Sequence, residues 1–159
     1  MQIFFLDRKP FKCALYHNDA HIRKMIIEYA QLLCTALQLN GHYHPEWYKP
    51  THVHRKCTQW VAQSRHHYDW LRELAWFIYN EWRERGLGKP THASGEIIKL
   101  LPLDGIGLLP DTPWQDPPVD MDPVYPGKDA VEAYRNYYMG EKRHLATWCK
   151  GTYVPSWWK

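Results

Sequence analysis

The chain has 159 residues, with nine Trp, eleven Tyr, four Phe and ten His; 45% of residues are hydrophobic and 23% are charged, for a formal net charge of +3. That length fits one domain over 1–159, and so much apolar and aromatic material excludes wholesale disorder. A charge of +3 permits nucleic-acid binding without requiring it. The cysteines at 13, 34, 57 and 149 form no C-x-x-C pair, so no disulfide scaffold is expected. No apolar run approaches the ~18 residues of a membrane span. The apolar stretch 3–6 is short and follows no basic segment, so it is not read as a signal peptide, and the cytoplasm is the default compartment.

In chain order, Ile3, Phe4, Phe5 and Leu6 read as a buried strand or extended arm, with Pro10 ending regular structure. A long helix is predicted over 19–39, capped by Asp19 or Asn18, with Ile22, Met25, Ile26, Tyr29 and Leu33 at helical spacing. Asn40-Gly41 stops it. A loop dense in His, Pro and aromatics follows over 41–56. A second long helix is predicted over 57–85, with a stripe of Trp60, Val61, Tyr68, Leu71, Leu74, Ile78 and Trp82. A short helix fits 94–101. Residues 102–126 hold seven of the twelve prolines and no periodicity, as expected of a functional or poorly ordered loop. A last helix fits 129–144 behind Asp129, and 145–159 form an aromatic tail. The expected fold is mainly α: one compact domain with two long helices, a short N-terminal strand or arm, and long irregular loops.

Three features carry chemistry. On a helical wheel of about 100° per residue, His21, Lys24, Glu28, Gln31 and Thr35 fall within about 80°. An imidazole, a cation and a carboxylate one turn apart form an acid–base set, so His21, Lys24 and Glu28 are the catalytic candidates. The alternative is an ordinary solvated stripe with an i,i+4 ion pair. The second feature is the loop with His42, His44, His52 and His54, followed by Cys57. Imidazole and thiolate suit zinc, but no H-E-x-x-H or C-x-x-C accompanies them, so no metal and no cofactor is expected. Thr51, His52, His54 and Lys56 instead precede a predicted helix whose free N–H groups suit a phosphate. The third feature is the C-terminal block of Arg135, Tyr137, Tyr138, Lys142, Trp148 and Lys150. Rings that stack bases, interleaved with cations that meet phosphates, suit DNA, single-stranded or distorted. The alternative is that these rings pack in the core.

At these residues the chain resembles a group of small phage-encoded proteins that carry no firm function. The likeness lies in Ile3-Phe4-Phe5-Leu6-Asp7, Asp19-Ala20-His21-Ile22-Arg23-Lys24, Tyr48-Lys49-Pro50-Thr51-His52, Tyr68-Asp69-Trp70-Leu71, Tyr134-Arg135-Asn136-Tyr137-Tyr138 and Pro155-Ser156-Trp157. It implies a phage origin and residence in the host cytoplasm. More distantly, the chain resembles the pyrimidine-dimer DNA glycosylases of the endonuclease V type. The matching residues are His21 and Glu28 seven apart, His54 before Trp60, and the segment from Tyr137 to Lys150. That likeness implies a small helical DNA-repair or DNA-modification hydrolase in which Glu28 is the acid–base residue of base excision. Arg23 and Lys24 would then hold phosphates or the sugar oxygen. The family's nucleophile is the α-amine of a small residue exposed by removal of Met. This chain reads Met1-Gln2 and so departs from the pattern at the lyase step.

The expected function is therefore a glycosylase-like DNA-processing enzyme acting on a damaged or modified base. Its partner would be double-stranded DNA with that base flipped out, or single-stranded DNA, with no membrane involved. A nucleotide or metabolite enzyme with a histidine-lined phosphate site, and a non-catalytic nucleic-acid-binding protein, are the alternatives.

Overall fold

Side-chain caps set several helix starts. The Asn18 carbonyl oxygen accepts from the His21 N–H, the Ser64 hydroxyl from the His66 N–H, and the Asp129 carboxylate from the Glu132 N–H. The computed structural model describes residues 1–149 and 153–159. Within them the chain forms α1 (Pro10–Tyr16), α2 (Asp19–Leu39), α3 (Lys56–Ala62), α4 (Arg65–Glu84), α5 (Ala93–Leu100) and α6 (Ala130–Gly140), then a 3-10 turn, Arg143–Leu145. The fold is all-helical. No strand occurs among the described residues, and no helix there is long and apolar enough to cross a membrane.

Helix α4 is the hub, packing on α1, α2, α3 and α5, while α2 also packs on α3 and α5. The last helix joins differently. Its tyrosines Tyr134, Tyr137 and Tyr138 are buried and gather around the ring of Phe4. Arg135 Nε donates to the Leu6 carbonyl (2.8 Å), so α6 docks on the N-terminal segment.

The expected pair of long helices with a strand is corrected in three places. Residues 3–6 are buried, but they pair with no strand, and the Leu6 N–H turns back to the Phe4 carbonyl (3.0 Å). The Phe4 N–H is taken by the Tyr29 hydroxyl (3.2 Å), and the Phe4 carbonyl accepts from the Cys13 thiol. Side chains and this local turn thus satisfy backbone groups a sheet would have used. Pro10 does not end regular structure; it opens α1 from within the first turn, where its missing N–H costs nothing. The helix expected over 57–85 is two helices. Ser64 leaves the helical region (φ −151°, ψ 133°), caps α4, and donates its hydroxyl to the Thr112 carbonyl (2.7 Å). The bend lets the His67 ring stack on Trp60 at 4.2 Å, with Nδ1 2.7 Å from the Trp60 carbonyl.

The proline-rich segment is a strap over this bend. Arg65 and Gln115 donate backbone N–H groups to the Pro110 carbonyl and to His67 Nε2, and Trp60 Nε1 donates to the Gln115 carbonyl. Arg8 grips Asp116 through both terminal nitrogens (2.8 and 3.0 Å). The Tyr134 hydroxyl donates to the Pro118 carbonyl (2.7 Å). The strap therefore ties α3 and α4 to α6 and ends beside the N-terminal segment, where Gln2 donates to the Asp120 carbonyl.

Candidate functional site

The helical stripe on α2 meets three other parts of the chain at a cleft of about 380 Å3. One wall is α2, with Lys24, Met25 and Glu28. The N-terminal segment contributes Met1, Gln2 and Phe4, the turn before α3 contributes Arg55, and the strap closes the far side with Asp120, Met121 and Asp122. Phe4, Met25 and Met121 are almost wholly buried, so the floor is apolar. The walls carry three carboxylates, on Glu28, Asp120 and Asp122, against three cations, those of Lys24, Arg55 and the Met1 α-ammonium.

Glu28 and Lys24 pair at 3.5 Å, with the carboxylate side chain 19% exposed and the ammonium side chain 68% exposed. The carboxylate is set into the wall and the cation stands at the rim. Lys56, also at the surface, reaches Asp120 at 3.5 Å and links α3 to the strap.

His21 is absent from this lining. Its ring stacks on Phe4 at 4.2 Å, and its Nδ1 lies 2.7 Å from the Tyr138 hydroxyl. Phe4 therefore stands between His21 and the cleft. Burial pushes the His21 pKa down to about 3, helped by the charges of His17, Lys142 and Lys24, so the imidazole is neutral at pH 7. In this position it supports Phe4 and the α2–α6 contact. At the other end of the stripe Gln31 is half-buried. Thr35 is fully buried and accepts the Thr51 N–H (3.2 Å).

The histidine loop does not converge. His42 Nε2 lies 3.0 Å from the Leu108 carbonyl, while His44 packs on Trp47 and accepts the Glu46 N–H. Among the described residues no group of three or more His, Cys, Asp or Glu side chains could hold a metal ion. Cys57 is buried, and burial pushes its thiol up to about 11, far from the poise of a reactive thiolate. His52 and His54 are exposed. With Val53 and Arg55 they line a shallow hollow that shares Arg55 with the cleft. His52 adopts φ +50°, an uncommon conformation for a side-chain-bearing residue, and its carbonyl is fixed by the Arg55 N–H and the Thr58 hydroxyl.

The C-terminal block is divided. Tyr137 and Tyr138 lie in the core, so their faces are not offered to a base. Arg135 bonds Leu6 and Asp7 and lies over the rings of Tyr16 and Trp157, within a second hollow of about 650 Å3 between α6 and the tail. Lys142 sits over Tyr137 at 5.0 Å, and Trp148 packs half-buried on Trp158. Arg23 is exposed on the tail side of α2, where its charge acts on the Cys149 thiol. Lys150 lies outside the described residues.

Of the predicted site residues, then, the cleft gathers Lys24 and Glu28, with Lys56 at its edge and His52 and His54 in the adjoining hollow. It adds Phe4, Arg55, Asp120 and Asp122, which no spacing in the sequence had marked. Asp120 and Asp122 alternate through the proline-rich segment, and their i,i+2 spacing around Met121 was the one available signal. Comparison with known proteins found no matching family model, curated protein or solved structure.

Proposed function

We propose that the chain is a DNA-processing enzyme of the base-excising kind, in which the cleft receives a damaged or modified base and Glu28 is the acid–base residue. The observation that carries this reading is the position of Glu28: a largely shielded carboxylate in the wall of a cleft with an apolar floor and cations at the rim. A volume of about 380 Å3 falls within the usual range for small-ligand pockets, roughly 300–1,000 Å3.

The charge balance argues for what enters. Carboxylates and cations balance on its walls, and Glu28 and Asp120 already pair with Lys24 and Lys56, so the cleft holds no excess positive charge for a phosphate inside and suits an uncharged polar ring on Phe4, Met25 and Met121. The flanking phosphates stay at the rim, where Lys24, Arg55, Lys56 and the exposed His52 and His54 face solvent. The base enters by leaving its stack. Glu28 then takes a proton from a water molecule, the water oxygen bonds to the sugar carbon, and the bond from that carbon to the base breaks with its electron pair departing on the base. His21, neutral and held behind Phe4, keeps that floor rigid.

The test is base release from duplexes carrying single modified bases, read by mass spectrometry. Glu28→Gln is expected to lower the rate by on the order of 10^2 to 10^4 while leaving DNA affinity nearly unchanged. Wild-type protein that shows no salt-dependent binding to DNA would remove the reading altogether. Borohydride trapping separates a covalent course from the hydrolytic one described; an adduct that survives Glu28→Gln would assign the chemistry to an amine.

A further inference from the structure

The face formed by α4 and α5 carries a set of cations and rings that takes no part in the cleft. Arg72, Trp76, Tyr79 and Arg83 follow one another at i, i+4, i+7 and i+11, a single stripe along α4. The guanidinium of Arg83 lies 4.7 Å from the Tyr79 ring centre and 6.0 Å from that of Trp76, and Arg72 lies 6.0 Å from Trp76. Lys99 of α5 stands 5.7 Å from the Tyr79 ring. The chain leaving α5 runs back along α4: Tyr79 donates to Glu96 at one end (2.7 Å), and Tyr68 donates to the Pro102 carbonyl at the other (2.8 Å). Arg72 and Trp76 lie between those two ties.

Arg72 is only 6% exposed, yet among the described residues it makes no hydrogen bond and no ion pair, and its Nε is completely buried without a partner. An arginine stays charged at any ordinary pH, so this is a largely buried cation with no acidic partner and an unused Nε–H. The same protein treats its other buried arginine in the opposite way. Arg85 bonds Glu81, Asp19 and the carbonyls of His17 and Leu15. Where an arginine holds the fold together, every arm is occupied; Arg72 lacks such partners.

The segment that runs back along α4 carries two exposed leucines on either side of the Pro102 tie, Leu100 at 48% and Leu103 at 81%. We propose that this face docks an acidic segment of a partner protein, with an Asp or Glu carboxylate pairing with Arg72 and neighbouring apolar side chains resting on Leu100 and Leu103. Charge complementarity decides the carboxylate, because Arg72 and Arg83 both lie over the Trp76 ring and, while Glu96 pairs with Lys99 and feels the charge of Arg83, Arg72 has no acidic partner. Arginine and aromatic anchors are the residues that dominate protein interfaces. A nucleic acid fits less well. Guanidinium groups already sit over the Trp76 ring, which denies it to a base, and interfaces with nucleic acid are polar where this one offers bare leucines.

The test uses the full chain and the blocked tripeptide N-acetyl-Leu-Glu-Leu-amide, with its Gln counterpart and an oligothymidylate as controls. The Glu peptide is expected to shift the Arg72 Nε–H resonance saturably, at least tenfold more tightly than the Gln peptide, and Arg72→Met to abolish that preference. Arg72→Met is also expected to keep or raise Tm, because it replaces an unpaired buried charge by an apolar chain of similar length. Equal response to the two peptides, no response to either, or a response to oligothymidylate alone would overturn the proposal. So would a fall in Tm as large as that of Arg85→Met, which would make Arg72 a structural cation.

Discussion

His17 and His21 show how little a residue type says before its surroundings are known. Both are deeply buried, and burial pushes each pKa down to about 3 from an ordinary 6.5. The fully buried His17 is engaged at both nitrogens, by the Cys13 carbonyl and the Tyr29 hydroxyl. A depressed histidine pKa means that the unfolded chain binds protons the folded chain refuses. Their stabilisation is therefore complete above about pH 6.5 and is lost as pH falls from 6.5 towards 3. The urea midpoint is expected to drop across that window and to drop less steeply in His21→Phe; an unchanged slope in the variant would refute the assignment. Arg85 is the opposite case, a buried charge with every arm engaged. Removing it strands Asp19 in the interior, so Arg85→Met is expected to cost about 3–5 kcal/mol in chemical denaturation. Neither environment is written in the local sequence, because the Arg85–Asp19 pair spans 66 positions.

At the scale of elements, local chemistry reaches further. The caps Asn18 and Asp129, and the apolar period along 19–39, made those helices legible. The division of 57–85 was not legible, because a stripe that spans both α3 and α4 reads as one period. Ser64 breaks it with the help of a distant partner, the Thr112 carbonyl. Ser64→Ala removes both the cap and that bond, and a loss of about 1–2 kcal/mol is expected by denaturant unfolding. In α5, Gly95 is a second such point. A Cβ there would stand 2.4 Å from the Tyr79 ring. Alanine brings about 1 kcal/mol of helix propensity but meets a fixed ring, at a cost of about 1–3 kcal/mol. Gly95→Ala is expected to lower stability; a stabilised variant would show that Tyr79 moves freely.

Across the whole molecule, the strap is what makes a cleft of separate parts. His67 accepts the Gln115 N–H at Nε2, so Nδ1 carries the proton that is donated to the Trp60 carbonyl. One neutral ring thus fastens the strap to the bend between α3 and α4. His67→Phe keeps a flat ring against Trp60 but leaves two backbone groups unpaired, at about 1–3 kcal/mol each. Faster amide exchange over 110–122 is expected, together with weaker binding of any ligand of the cleft, because Asp120, Met121 and Asp122 ride on the same segment. Exchange confined to the bend alone would mean that the strap is held elsewhere.

The sequence by itself determined a mainly helical chain, the caps of α2 and α6, and the placing of Lys24 and Glu28 one turn apart, because each depends on neighbours within a few residues. Only the tertiary structure decided the rest. It turned the N-terminal segment into a buried support, the proline-rich stretch into a wall, and the α6 tyrosines Tyr134, Tyr137 and Tyr138 into core. Those outcomes depend on pairs of groups more than a hundred residues apart, such as Arg8 with Asp116 and Arg135 with Leu6. Periodicity within one element carries no information about which distant backbone group a side chain will satisfy.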